Sequence, residues 1–323
     1  MLEADFTVER RDFAVSVALR VAPGERLALF GPSGAGKTTV LETIAGLVHP
    51  RRGRVSLGGR LLATTEPARS VPTWRRRIGL LRHDPALFPH LSVAANLAYG
   101  AADRSSVAAL ASRLRIGELL AASPLALSAG QRRRVALARL LAAAPAALAL
   151  DEPYDGLDEE AKRVVSEVIL EAAAERQLPT LVAAHDLAEA QFVADRVAVI
   201  DRGQVLQVDE PAALVRAPAT RRVAALVGYR SFAPLAGGGC FLAVHPDLVL
   251  LGHHPERGPT LIGELRSLRP SGARFELAVA VHGTAVTLRV DEPPAGNEIR
   301  FTPIAPPVYG EDGRLLASEA VPS

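Results

Sequence analysis

Nine residues, GPSGAGKTT from Gly31 to Thr39, constrain this chain more than any others. They match the spacing G-x-x-x-x-G-K-[ST] and stand between the apolar run RLALF (Arg26 to Phe30) and a helical pattern, the setting in which such a loop wraps phosphate oxygens. The loop Gly31, Pro32, Ser33, Gly34, Ala35, Gly36, Lys37, Thr38 and Thr39 therefore reads as a nucleotide-phosphate cradle. Backbone N–H groups freed by Gly34 and Gly36 face the phosphates, and the helix N-terminus adds positive potential. Lys37 is placed to reach the β and γ phosphates, and Thr38 to hold Mg²⁺.

A strand feeding such a loop belongs to an α/β sheet, and the pattern from Glu25 to about Ile200 agrees, with short apolar runs alternating with helical ones. RLALF, ALAL (Ala147 to Leu150) and TLVAA (Thr180 to Ala184) read as buried strands, each followed at once by a chemical group: Gly31, the pair Asp151 and Glu152, and His185. Ligands of open α/β sheets bind beyond the carboxyl ends of the strands, so these groups are expected to converge. Asp151 suits Mg²⁺, held through water, and Glu152 suits a general base for an attacking water. RVAVIDRGQVLQV reads as a hairpin turning at Asp201 to Gly203.

Ser128 and Gln131 in LSAGQRRRVALARLL have capping-box spacing, which predicts a helix to about Leu141. The phosphate loop, LSAGQ and LALDEP, in this order, resemble the ATPase subunit of ABC transporters over residues 1–230. The resemblance implies ATP and Mg²⁺ as ligands. It also implies a head-to-tail pair of subunits in which Ser128, Gly130 and Gln131 of one close over ATP on the phosphate loop of the other. Ala129 departs from the family's L-S-G-G-Q by one methyl group. YDGLD resembles the D-loop with Asp158 as its acid, and VAAHD resembles the switch region that assigns His185 to the γ-phosphate. Phe13 is a candidate adenine platform and equally a strand core residue.

One position breaks the pattern. Where the family keeps an aromatic-Gln-Asp before its LFPH-like run, this chain has LLRHD, with Arg82 for the aromatic and His83 for the glutamine. No glutamine occurs between Thr39 and Gly130, so a register slip does not restore it. A neutral imidazole has one donor and one acceptor nitrogen, which lets His83 replace the glutamine near Mg²⁺ and the attacking water. Catalysis is thus assigned to Glu152, His185 and His83. The alternative is a nucleotide-binding regulatory subunit with impaired hydrolysis.

APLAGGG predicts a linker near 230–240, dividing a domain of 1–230 from a β-rich one of 231–323 with a loosely held end after about Gly313. Phe275, Leu277, Val279 and Val281, then Val286, Leu288 and Val290, alternate with period two across a turn. The expected fold is therefore α/β: a P-loop nucleotide-binding domain with a mainly parallel sheet and a helical subdomain, then a small C-terminal β-barrel-like domain. Residues 240–310 resemble the transport-associated oligonucleotide-binding-like (TOBE) domain of importer ATPases.

With one phosphate loop and no fused membrane segment, the family resemblance narrows to importers, and GPSGAGKTT with LFPHLSVAANLAYG looks most like molybdate-type or related oxyanion systems. Iron, sulfate, polyamine and sugar stay open as cargo. The implied partners are integral-membrane permease subunits, a second ATPase subunit and, indirectly, a substrate-binding protein. The expected location is peripheral, on the cytoplasmic face of the membrane through the permease. A single cysteine, Cys240, and an opening MLEADFTVERRDF without an apolar core fit a reducing compartment and no signal peptide. Nucleic acid is not expected, because a net charge of +2 and 4% aromatics supply neither a basic surface nor stacking platforms. The runs Arg75 to Arg77 and Arg132 to Arg134 read as solvated or partner-facing.

Overall fold

In a computed structural model that describes residues 1–235, 239–294 and 296–316, the chain divides into two compact units, Met1–Pro211 and Ala212–Ser323. The first unit begins with β1 (Leu2–Glu9), β2 (Ala14–Val21), β3 (Arg26–Phe30), α1 (Lys37–Ala45), β4 (Arg52–Leu57), β5 (Arg60–Thr65) and β6 (Ala68–Ser70). It continues with α2 (Thr73–Arg76), β7 (Ile78–Leu81), α3 (Val93–Ala98), α4 (Ser106–Arg113) and α5 (Ala129–Ala142). The last elements are β8 (Ala147–Asp151), α6 (Glu159–Glu175), β9 (Thr180–Ala184), α7 (Leu187–Val193), β10 (Arg196–Asp201) and β11 (Gln204–Asp209).

All eleven strands form one sheet in the order β6-β5-β4-β1-β2-β11-β10-β3-β9-β8-β7. The run β10-β3-β9-β8-β7 is parallel. The flank from β6 to β2 is antiparallel, so the sheet is mixed rather than mainly parallel as the sequence suggested. The reason is local: β4 and β5 are joined only by Gly58 and Gly59, both at positive φ, and so short a connection permits only antiparallel pairing.

The interiors of the parallel strands are continuous apolar runs, with polar residues only at their ends, because both faces are covered. Leu148, Leu150 and Val182 enter a core with Val135, Leu137 and Leu141 of α5, while Ala149, Leu181 and Ala183 enter another with Val40, Leu41 and Ile44 of α1. This places the ends of β3, β8 and β9 side by side, between α1 and α5.

The second unit opens inside α8 (Pro211–Arg216), followed by α9 (Arg221–Leu226), β12 (Ser231–Pro234), β13 (Cys240–Val244) and β14 (Val249–Leu251). Then come β15 (Leu261–Ser271), β16 (Arg274–Val281), β17 (Thr284–Val290), β18 (Glu298–Pro303) and β19 (Val308–Gly310). Two antiparallel sheets, β12-β13-β19 and β14-β18-β15-β16-β17, share one core, with Leu277 opposite Leu288 and Val279 opposite Val286.

The division falls at 211/212, ahead of the linker read at 230–240. Tyr229 Oη donates to Val215 O at 2.7 Å and Tyr309 Oη to Pro218 O at 2.9 Å, while Thr220 pairs with Arg314, so α8 and α9 are bound into the β-rich unit. Ala236 to Gly238 of the expected linker lie outside the described residues. The end expected to be loose after Gly313 is held through Leu316, whose N–H donates to Val308 O; residues 317–323 lie outside the described residues.

Candidate functional site

After Arg26, β3 runs buried and apolar into Gly31, whose Cα faces Ile200 so closely that a Cβ there would lie 2.0 Å from Ile200 O. The loop then turns through Gly34 (φ 80°) and Gly36 (φ 107°), conformations that disfavour any side chain. No side chain caps α1, which leaves the anion-attracting N–H groups of its first turn to a ligand. Pro32, Ser33, Gly34 and Thr38 are exposed, whereas Ala35, Lys37 and Thr39 are buried. Lys37 Nζ donates to Gly31 O at 2.7 Å and Pro32 O at 3.1 Å, curling the ammonium under its own loop. Burial lowers its pKa, and the nearby Glu152 and Asp151 oppose that shift.

Thr38 Oγ1 donates to Asp151 Oδ2 at 2.9 Å, joining the start of α1 to the end of β8. Asp151 is 4% exposed, and its pKa is raised chiefly by burial, with the Thr38 hydrogen bond pulling the other way. A hydroxyl beside a desolvated carboxylate fits Mg²⁺, a hard cation that takes few protein oxygens and completes its shell with water and phosphate. Among the described residues no group of three or more His, Cys, Asp or Glu side chains is placed to hold a metal ion.

Glu152 has φ 48°, and its N–H donates to Ala183 O at 3.1 Å. Its Oε2 lies 3.5 Å from His83 Nδ1 and its Oε1 4.0 Å from His185 Nδ1. His185 Nδ1 is also 3.9 Å from Glu189 Oε2, whose carboxyl pKa is raised mainly by burial. The three residues assigned to catalysis thus meet at one carboxylate, although the side chains of His83 and His185 are 61% and 49% exposed.

Ser128 and Gln131 do not join that cluster in a single chain. Their hydrogen bonds form a capping box at the start of α5, with Ser128 Oγ accepting from Gln131 N at 3.2 Å and Gln131 Oε1 from Ser128 N at 2.9 Å. Gly130 packs on the loop after Glu152, where a Cβ would lie 2.9 Å from Leu157 Cδ2 and 3.0 Å from Gly156 O. Ala129 is exposed, so its methyl group is accommodated where one on Gly130 would not be. Asp158 caps α6, accepting from Ala161 N at 2.8 Å. Phe13, just before β2, is half-buried and packs against the core of the first unit.

Of the arginine runs read as solvated or partner-facing, Arg75 and Arg77 are exposed, but Arg76 and Arg133 are buried. Arg76 is 1% exposed and donates to Val71 O, Thr43 O, Ile44 O and Ser70 Oγ, capping the far end of α1. Arg133 is 5% exposed and donates to the carbonyls of His83, Asp151 and Glu152. Arg132 and Arg134 also bind backbone carbonyls. A signal for Arg133 did exist in the sequence: it stands four and eight residues before the buried Leu137 and Leu141, on the core stripe of α5. Arg10 was also missed; its Nε and Nη2 donate to Thr39 Oγ1 at 3.0 and 2.8 Å.

Comparison with known proteins agrees with this geometry. The family model described as ABC transporter matches residues 15–155. The sulfate/thiosulfate import ATP-binding protein CysA 2 of Chromobacterium violaceum is 35% identical over 95% of this chain and 83% of its own length. The chain belongs to the ABC transporter family of ATP-binding proteins. Other members of this family are similar over about two-thirds of the chain: the Fe(3+) ions import ATP-binding protein FbpC of Pseudomonas fluorescens, 39% identical over 66% of this chain, and the molybdenum import ATP-binding protein ModC of Mycobacterium tuberculosis, 40% identical over 67%. The chain spans 61% and 62% of the length of these two relatives. A solved ATP-binding subunit of an ABC transporter superposes with TM-score 0.59 at 27% identity, covering 70% of this chain and 94% of that one. A dimeric ATP-binding cassette in a post-hydrolysis state, bound to ADP and Pi, does so with TM-score 0.57 at 25% identity, covering 65% and 99%.

Proposed function

We propose that this chain hydrolyses Mg-ATP to drive an importer through integral-membrane permease subunits, as one of two ATPase subunits paired head to tail. The observation that carries the reading is the join of Thr38 to Asp151 at 2.9 Å, with Glu152 next in the chain and flanked by His83 and His185. The loop Gly31–Thr39 cradles the phosphates, and Lys37 offers its remaining N–H to them. Mg²⁺, held by Thr38 and Asp151, would offset the negative charge of the β and γ phosphates. Glu152 accepts the proton of the attacking water, which His83 orients from the other side, while His185 donates to the γ-phosphate. Ser128, Gly130, Gln131 and Asp158 act on the nucleotide of the second subunit, which is consistent with their separation from the catalytic cluster within one chain.

A groove of about 490 Å³ supports the permease as partner. It is lined by Trp74, Phe88, Tyr99 and Arg139 and follows β7 to Arg82, the residue before His83. Trp74 and Tyr99 are 78% and 60% exposed, an apolar display suited to a helix end of a membrane subunit. We assign an oxyanion as cargo, molybdate or sulfate in kind, because relatives named for both are among those that match and the sulfate relative aligns over both units. The β-rich unit is assigned as a regulatory domain of the transport-associated type. The chain is placed on the cytoplasmic face of the membrane, peripherally, and takes no nucleic acid.

The test is Mg-ATP turnover by the wild type, His83→Gln and His83→Ala, with the permease present. His83 offers a ring nitrogen to the attacking water beside Glu152, so His83→Ala should lose turnover and His83→Gln should keep it. Unchanged turnover in His83→Ala places His83 outside the chemistry; a wild type that binds ATP yet is inactive, and is revived by Gln, makes the chain a regulatory subunit.

A further inference from the structure

Arg133 makes contacts that no other side chain in the site makes. Its guanidinium donates from Nη2 to His83 O at 2.9 Å and to Asp155 Oδ2 at 3.4 Å, and from Nη1 to Asp151 O at 3.4 Å and to Glu152 O. One buried cation therefore holds the main chain of the metal-binding acid, the base and the histidine that faces it. Asp155, whose side chain is 47% exposed, is the only one of these partners that binds it through a carboxylate.

The geometry at Glu152 shows why this matters. A left-handed backbone disfavours a side chain unless its neighbours fix it. Here the Glu152 N–H is fixed by Ala183 O and its carbonyl by Arg133, which sets the direction of the carboxylate. His83 has its carbonyl on the same guanidinium, so the two side chains are referred to a common anchor and meet at 3.5 Å. That anchor stands on α5 four residues after Ala129, on the helix whose capped start carries Ser128 and Gln131.

We propose that Arg133 is a positioning residue: it holds the Glu152 carboxylate against the His83 imidazole, so that the seating of α5 sets the rate of the hydrolytic step. This rests on the hydrolytic reading above. A shift of α5 moves the guanidinium, and with it chiefly the backbones of Glu152 and His83, while Lys37 stays bound to its own loop through Gly31 O and Pro32 O. Arginine is required because its planar fork reaches acceptors in separate loops, whereas an ammonium is a compact point of charge.

The test uses the full chain labelled with ¹⁵N-histidine, His83 being assigned by the signal lost in His83→Gln. Glu152→Gln gives the ring signal of His83 without its carboxylate neighbour. Arg133→Met should move the His83 signal the same way, and Arg133→Lys should move it part of the distance. Arg133→Met should also lower kcat for Mg-ATP on the order of 10- to 100-fold, as a misplaced base does. The dissociation constant for ATP should change by less than about threefold, because the phosphate loop is not disturbed. A His83 signal unmoved in Arg133→Met, or a loss that falls on ATP binding and not on kcat, overturns the proposal. If Arg133→Met does not fold, Arg133→Lys decides: wild-type ring signal and wild-type kcat overturn it. A wild type that binds ATP without turnover defeats the hydrolytic reading instead, and the ring signals still report whether Arg133 holds the pair.

Discussion

Gly31→Ala is the sharpest test of the phosphate loop, because the substitution is the smallest available and its collision is with backbone. The added Cβ would lie 2.0 Å from Ile200 O and 3.1 Å from Ile200 C. A carbon–oxygen contact needs about 3.3 Å, so something must move by roughly 1.3 Å. Ile200 has little freedom: it is 0% exposed, in a strand paired with β3 on one side and β11 on the other. The loop therefore moves, taking with it the Gly31 and Pro32 carbonyls that hold Lys37 Nζ. Displacing reacting groups by about 1 Å costs on the order of 100-fold in rate, or about 2.7 kcal/mol of barrier. Overpacking adds about 1–3 kcal/mol of lost stability. Gly34→Ala is the comparison, since nothing lies within 4 Å of its Cβ and only the cost of φ 80° is incurred, roughly 1–2 kcal/mol. The assays are Mg-ATP turnover and thermal melting of both variants. A Gly31→Ala protein with wild-type turnover and melting temperature refutes the claim that close approach to β10 fixes this loop.

Glu152→Gln keeps the shape of the proposed base and removes its proton acceptance, so saturating Mg-ATP should trap a head-to-tail dimer; light scattering that shows monomer, with and without the permease, counts against the paired mechanism. Arg76→Met leaves the carbonyls of Val71, Thr43 and Ile44 buried without their donor, a loss of about 3–5 kcal/mol that denaturant unfolding reads directly, and a cost below about 1 kcal/mol would mean water replaces the guanidinium. Asp151 has its folded pKa raised above the ordinary 3.8 by burial, so the folded state loses stability as pH rises through that raised value. Asp151→Asn should therefore raise the melting temperature of the nucleotide-free protein at neutral pH, the gain narrowing as pH falls toward 3.8, and should abolish any stabilisation by Mg²⁺ with ATP. An unchanged or lowered melting temperature at neutral pH would show that the carboxylate is not penalised.

What the sequence determined by itself was whatever depends on neighbours in the chain. The strand, loop and helix around Gly31–Thr39 are legible because glycine spacing and helix start are local properties, and the same holds for the capping box at Ser128 and the hairpin after Asp201. The strand pairs of the β-rich unit were equally readable, since alternation with period two fixes which residues face inward. Tertiary structure decided the rest. An arginine in a basic run is solvated or buried according to which carbonyls the fold brings to it, so Arg76 and Arg133 were misread. The place of His83 beside Glu152, 69 residues away in the chain, follows from the pairing of β7 with β8, and the edge of the second unit follows from two tyrosine hydroxyls that bind α8 and the loop after it to the β-rich core. Composition and periodicity describe a residue's own surroundings along the chain; they carry no record of the long-range acceptor that settles where a polar group can be buried.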